Sequence, residues 1–195
     1  MDFWHVYEAE KTKPEFGSGR AYIASRERIH LSMSHVERYS TLLPMNQGMF
    51  RKFSEEARYV ITKDLTHDIL VSIYDVNTTE SVLLRFSEAL GNQAVVKALA
   101  AVKRLKKPNL EMRVIGLQDK DTELLASADR LYSAARPALV EVDLFGAETR
   151  HIAFDTKLGM TFDLLLLNRI YRPHELATTI SADDYAKSKS ELKFV

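Results

Sequence analysis

The order of strand-like and helix-like patterns constrains this chain more than any motif. Strand patterns fall in two groups, one up to residue 74 and one from residue 110 onward, with helical patterning between them. A parallel sheet needs strand and helix to alternate, so this order predicts an α+β protein. The expected form is an N-terminal ββαββ-like unit, a central helical hairpin, and C-terminal antiparallel strands with a flanking helix. The expected division is a β-rich unit at 1–76 and a helical-hairpin-plus-antiparallel-sheet unit at 77–195. No Pro- or Gly-rich linker marks that boundary, and one continuous body fits equally well.

Within the first group, residues 3–9 read as an aromatic-rich opening strand. Residues 20–24 and 28–32 alternate polar and apolar around the corner at 25–27. Ser34-His-Val-Glu37 has capping-box spacing, predicting a helix to about Leu43, ahead of Pro44. Residues 45–56 carry no clear pattern beyond a helical turn. A second strand pair is expected at 59–62 and 69–74. Asn77-Thr-Thr-Glu80 repeats the capping-box spacing and predicts a helix through Leu90, stopped by a left-handed Gly91. Asn92 would cap the next helix, 93–107, with Val95, Leu99 and Val102 along one stripe. Beyond it come a strand at 110–117, a helix at 122–135, and strands at 138–144, 150–155 and 161–171 joined by short turns as an antiparallel meander. Ser181 would cap a last short helix, followed by a mobile tail at 187–195.

Several function classes drop out on composition. The chain has 195 residues and no cysteine, so it can build a core without staples, and it holds no disulfide, thiolate metal site or cysteine nucleophile. Gly17-Ser-Gly-Arg20 lacks the lysine and the Ser/Thr of a phosphate loop, and no helix pattern follows it. No nucleophile elbow or dinucleotide fingerprint is present, so neither a cofactor nor a catalytic centre is expected. Residues 1–5 lack the layout of a secretory leader, and no apolar run, 164–167 included, approaches the roughly 20 residues of a membrane helix. The expectation is a soluble, cytoplasmic protein with no membrane partner.

Formal net charge is zero, yet the cations are unevenly spread: residues 17–63 hold eight Lys/Arg against four Asp/Glu, and residues 97–113 hold six against one. Strand alternation points Ala21, Ile23, Ile29 and Leu31 inward and puts Arg20, Tyr22, Arg28 and His30 on one outer face, with Arg26 at the tip. Guanidinium groups neutralise phosphates and rings stack bases, so this face has the composition of a nucleic-acid platform. An ordinary solvated strand face has a similar composition. Lys103, Arg104, Lys106 and Lys107 form a secondary cationic cluster, for which helix C-terminal charge compensation is the alternative explanation. Glu141 and Asp143 share one strand face, as do His151 and Asp155. Were those two strands paired, three carboxylates and an imidazole would converge on a possible metal or acid–base site.

The order of elements from Gly19 to Tyr74 resembles small strand-pair, helix, strand-pair modules found in single-stranded DNA-binding and transcription-associated proteins. It implies a binding role. The leading expectation is therefore a non-catalytic protein that associates with nucleic acid, single-stranded or read through its backbone, with no metal. The alternative is a protein–protein module, an assembly subunit or inhibitor, that self-associates or pairs through the aromatic N-terminal strand (Phe3, Trp4, Tyr7) at a sheet edge.

Overall fold

A strand that is apolar at nearly every position must be covered on both faces. β4 (Ile69–Asp75) is buried throughout and β5 (Glu80–Phe86) at every residue but its first, and these two form the centre of the protein. The computed structural model describes residues 3–4, 36, 38–105, 109–116, 122–144, 150–163 and 193–194. Among them, β4 and β5 pair antiparallel inside a six-stranded sheet with β2 (Gln47–Lys52), β6 (Leu110–Gly116), β7 (Leu139–Leu144) and β10 (Lys193–Phe194), in the order β10-β2-β5-β4-β6-β7. A four-stranded sheet in the order β1-β3-β8-β9 joins β1 (Ser40–Leu42), β3 (Tyr59–Leu65), β8 (Arg150–Asp155) and β9 (Met160–Asp163).

Side-chain alternation along the central strands sorts the core into two layers. Ile69, Val71 and Ile73 of β4, Val82, Leu84 and Phe86 of β5, and Leu110, Met112 and Val114 of β6 pack with α1 (Asn92–Val102) and α2 (Thr122–Ala135). The intervening residues Leu70, Tyr74, Leu83 and Ile115 face the other way and pack against Val60, Leu65, Ile152 and Phe154 of the second sheet. The result is a layer of helices, a central mixed sheet and a second sheet, an α+β architecture. Each of these buried aliphatic or aromatic side chains contributes about 1.5–3 kcal/mol.

Several expected elements are confirmed. β4, β6, α2, β7 and β8 lie where periodicity places them, and β8 and β9 form the expected antiparallel pair. Others are corrected. Residues 80–86 are a strand, so the central helical hairpin does not exist. The helices that do pack together, α1 and α2, are separated in sequence by β6. Val82-Leu83-Leu84 is apolar because both sheet faces are covered, and a short run of this kind reads equally as helix or strand. Gly91 is extended (φ −60°, ψ 160°) and is itself the N-cap of α1, not a left-handed stop. The helix expected up to Leu43 gives way to β1 at Ser40–Leu42, although Val36 and Arg38 are helical. The unpatterned stretch at 45–56 contains β2, followed by the expected helical turn at Glu55–Ala57. β3 and β4 do not pair: β3 lies against β8 and β4 against β5 and β6, so the chain passes from one sheet to the other at 66–68. β7 runs parallel to β6, with α2 as the crossover that a parallel pair requires, and does not join β8 in a meander. Lys193 and Phe194 pair with Gln47 and Gly48, so that part of the expected mobile tail is a strand. The 76/77 division falls in the tight turn between β4 and β5, neighbouring strands of one sheet.

Two hairpins of this molecule close with the same turn geometry. Asp75 ends β4, and its Oδ1 accepts the amides of Asn77 (2.9 Å) and Thr78 (3.3 Å). Asp155 ends β8, and its Oδ1 accepts those of Lys157 (2.9 Å) and Leu158 (3.4 Å). Each turn closes through an amide four residues on, Thr79 N–H to Asp75 O (2.9 Å) and Gly159 N–H to Asp155 O (2.8 Å). The closing residue is left-handed in both, with φ 55° at Thr79 and 66° at Gly159. Glycine takes that conformation without strain, whereas a β-branched residue does not. Thr79→Gly is therefore expected to stabilise the protein by about 1 kcal/mol, the left-handed penalty less the added chain entropy, read as a rise in thermal midpoint. A fall would mean that the Thr79 hydroxyl, which donates to Thr78 O at 2.6 Å, outweighs the strain.

Candidate nucleic-acid interface

Of the residues singled out for anion binding, Arg20, Tyr22, Arg26, Arg28, His30, Lys106 and Lys107 lie outside the described residues. Lys103 and Arg104 are described, and both are exposed. They follow α1 instead of occupying its last turn. The helix ends at Val102, and the Lys103 N–H closes it on Leu99 O (2.9 Å) while the Arg104 N–H reaches Ala101 O (3.1 Å). The tightened turn carries the Arg104 side chain onto β2, where its guanidinium carbon stands 3.9 Å from the centroid of the Phe50 ring. Cation–ring attraction at this range is worth roughly 0.5–1 kcal/mol at an exposed site. The contact anchors the guanidinium, whose planar fork of N–H donors suits a phosphate.

Reading the chain alone missed Phe50, since β2 was not recognised. The pattern that would have found it is the pairing of residues 47–52 with the apolar run at 80–86. On the same side of β2, two residues along, stands the exposed Lys52, whose cross-strand neighbour is Glu80.

The acidic and histidine residues of the last strands are arranged differently from expectation. β7 and β8 belong to different sheets, so strand pairing does not bring Glu141 and Asp143 to His151 and Asp155. Glu141 and Asp143 take register positions opposite Arg113 and Ile115 of β6. Asp155 is fully buried and committed. Arg58 Nε donates to its Oδ1 (3.1 Å) and Oδ2 (3.0 Å), Arg58 Nη2 donates to Oδ2 (2.7 Å), and its Oδ1 also holds the turn amides. Those hydrogen bonds hold the Arg58 guanidinium above its ordinary pKa, against the opposing pull of desolvation. His151 accepts the Asp64 amide at Nδ1 (3.2 Å), which places the proton of a neutral ring on Nε2.

Other interior charges hold the two sheets and their connections together. Arg85 and Asp68, both buried, pair where the chain crosses between sheets, and Arg85 also donates to Asp64 O (3.2 Å). Arg113 bonds Glu111 (2.9 Å) and donates to the Gly159 carbonyl, linking the central sheet to the β8–β9 turn. Tyr74 adds a hydroxyl bond to Lys157 O (2.7 Å), and burial pushes its phenol pKa up, so it donates as a neutral group. Among the described residues, no three His, Asp or Glu side chains are placed together to hold a metal ion.

The aromatic N-terminal strand is corrected at the two positions described. Phe3 and Trp4 are helical, and Phe3 is fully buried in the helix-side core, with its ring 6.1 Å from that of Tyr132. A ring sunk in the core is not an edge offered to another chain. No helix among the described residues is long and apolar enough to cross a membrane. No protein-family model matches the chain, and a search of curated proteins finds no match.

Proposed function

We propose that this is a non-catalytic nucleic-acid-binding protein that engages the phosphate backbone, with Lys103 and Arg104 as contacts. The observation that carries the reading is the exposed Arg104, its guanidinium carbon 3.9 Å from the centroid of the part-buried Phe50 ring, beside exposed Lys103. Three other arginines, the part-buried Arg58 and the buried Arg85 and Arg113, are engaged with acids or carbonyls of the fold. Arg104 is instead held by a ring at the surface, an arrangement suited to an outside anion. In the proposal the arginine-rich segment Arg20, Tyr22, Arg26, Arg28 and His30 supplies further phosphate contacts and a stacking ring. The backbone is the expected target, because phosphate contacts from Lys and Arg position a protein without reading sequence.

The test is fluorescence anisotropy with a labelled oligothymidylate and with a mixed-sequence oligonucleotide, at two salt concentrations. Binding is expected to weaken as salt rises and to be similar for both sequences. Arg104→Gln should weaken it uniformly and flatten its salt dependence, by about 0.7 in the slope on a single strand. Arg20→Ala with Arg28→Ala should weaken it further. No binding at low salt, or binding untouched by either set of substitutions, would remove the proposal.

A further inference from the structure

We propose that the contact surface runs along the outward face of α1 and the turn after it, making a cationic rail for a single-stranded phosphate backbone; this rests on the reading above and extends it to Lys97 and the short side chains beside it. Helical periodicity buries Val95, Ala98, Ala101 and Val102 of α1 and leaves Gln93, Val96, Lys97 and Ala100 exposed. In the turn that follows the helix, Leu105 is buried while Lys103 and Arg104 are exposed. The stripe is continuous at i, i+3, i+4 and i+7 spacing, as one face of a helix requires. Three of its six side chains are cations, and residues 91–105 contain no carboxylate at all. Surface helices ordinarily interleave both signs, and pairs at i, i+4 add stability, so a face with one sign forgoes that gain.

The spacing fits a linear polyanion. Lys97 lies about 7–8 Å along the axis from Val102, the last residue of α1, at 1.5 Å per residue, and Lys103 and Arg104 follow in the turn directly beyond. Between them stands Ala100, with Val96 beside Lys97, so short side chains form the floor and nothing bulky separates the cations. Arg104, anchored by Phe50, fixes the far end of the rail. Lys52 is left out of the count, because Glu80 stands across from it.

The experiment uses the full chain, a fluorescein-labelled 20-residue oligothymidylate and vesicles containing phosphatidylserine. The three cations of the rail contribute about −2 to the slope of log affinity against log salt on a single strand, in addition to the share of Arg20, Arg26 and Arg28. Lys97→Gln is expected to weaken oligonucleotide binding severalfold and to make the slope shallower by about 0.7. Ala100→Glu, a helix-compatible change at an exposed site, should weaken it at least as much by placing an acid amid the cations. Both variants should keep the wild-type circular dichroism spectrum and melting temperature. If Arg104→Gln weakens binding while Lys97→Gln and Ala100→Glu do not, the helix rail is overturned and the Arg104 contact survives. If the wild-type protein does not bind the oligonucleotide at low salt, both proposals fall. Binding to the vesicles alone overturns both as well, in favour of a membrane surface.

Discussion

Gly159→Ala is expected to destabilise the protein by about 2–5 kcal/mol, combining overpacking with a forced left-handed alanine. A Cβ at this position would lie 2.6 Å from Tyr74 Cγ, 2.5 Å from Cε1 and nearer still to Cδ1. The ring has little room to retreat. Tyr74 is buried, packs edge-on against Phe154 at 6.2 Å between centroids, and is tethered through its hydroxyl to Lys157 O. The backbone offers no relief either, since φ at Gly159 is 66°. For a chain of this size each kcal/mol shifts the thermal midpoint by about 2–4 °C, so the loss is large enough to read in a melt. The steric share is separable: in a Tyr74→Leu background the same substitution should cost only the backbone share, about 1–2 kcal/mol. An equal cost in both backgrounds would show that the turn does not rest on Tyr74.

The comparison of Gly159 with Thr79 shows how one local solution serves two places. Both turns use an aspartate to satisfy the amides two and three residues on and a left-handed residue to close. The β8–β9 turn lies on Tyr74 of the central sheet, which leaves no space for a side chain at its closing position. At Thr79 the closing carbonyl accepts the Phe53 amide at 3.1 Å, binding that turn to the segment after β2. The same backbone geometry therefore tolerates threonine in one turn and admits only glycine in the other.

What could be read from the chain follows from how one-sided each element is. α2 was located to the residue, because one face packs on the sheet and the other stays wet, which imposes a 3.6-residue period. β8 shows its alternation in Ile152 and Phe154, which turn to the sheet interface, although Ala153 and Asp155 on the other face are buried as well. β5 lies between two layers, so its apolar residues run on without alternating, and the nearby Asn77-x-x-Glu80 spacing made a helix plausible. The residue that shapes that turn is Asp75, one position beyond the last predicted strand residue. Pairing partners were harder still. Nothing local to 59–75 says that β3 and β4 belong to different sheets, because that is decided by contacts with residues 80 to 155. The cationic site was half legible: the charges at 103–107 stood out, whereas the Phe50 ring that receives Arg104 required β2 to be recognised.

The crossing between the sheets carries the second large effect. Asp68 and Arg85 are each about 1% exposed, and the pair sits where β3 hands over to β4. Asp68 Oδ1 also takes the Thr66 amide at 3.1 Å, and Arg85 reaches back to Asp64 O, beside the irregularity between Thr62 and Leu65 where Asp64 is left-handed at φ 54°. Removing one partner strands a buried charge, so Asp68→Ala and Arg85→Met should each cost about 3–5 kcal/mol in urea unfolding. Removing both is a different matter. A buried ion pair recovers in mutual attraction little more than it loses in desolvation, so Asp68→Leu combined with Arg85→Met should be more stable than either single variant and within about 1–2 kcal/mol of the wild type, the residue being the orphaned Thr66 amide. Single-variant costs below about 1 kcal/mol would mean that water reaches the pair and that the crossing is held by apolar packing alone.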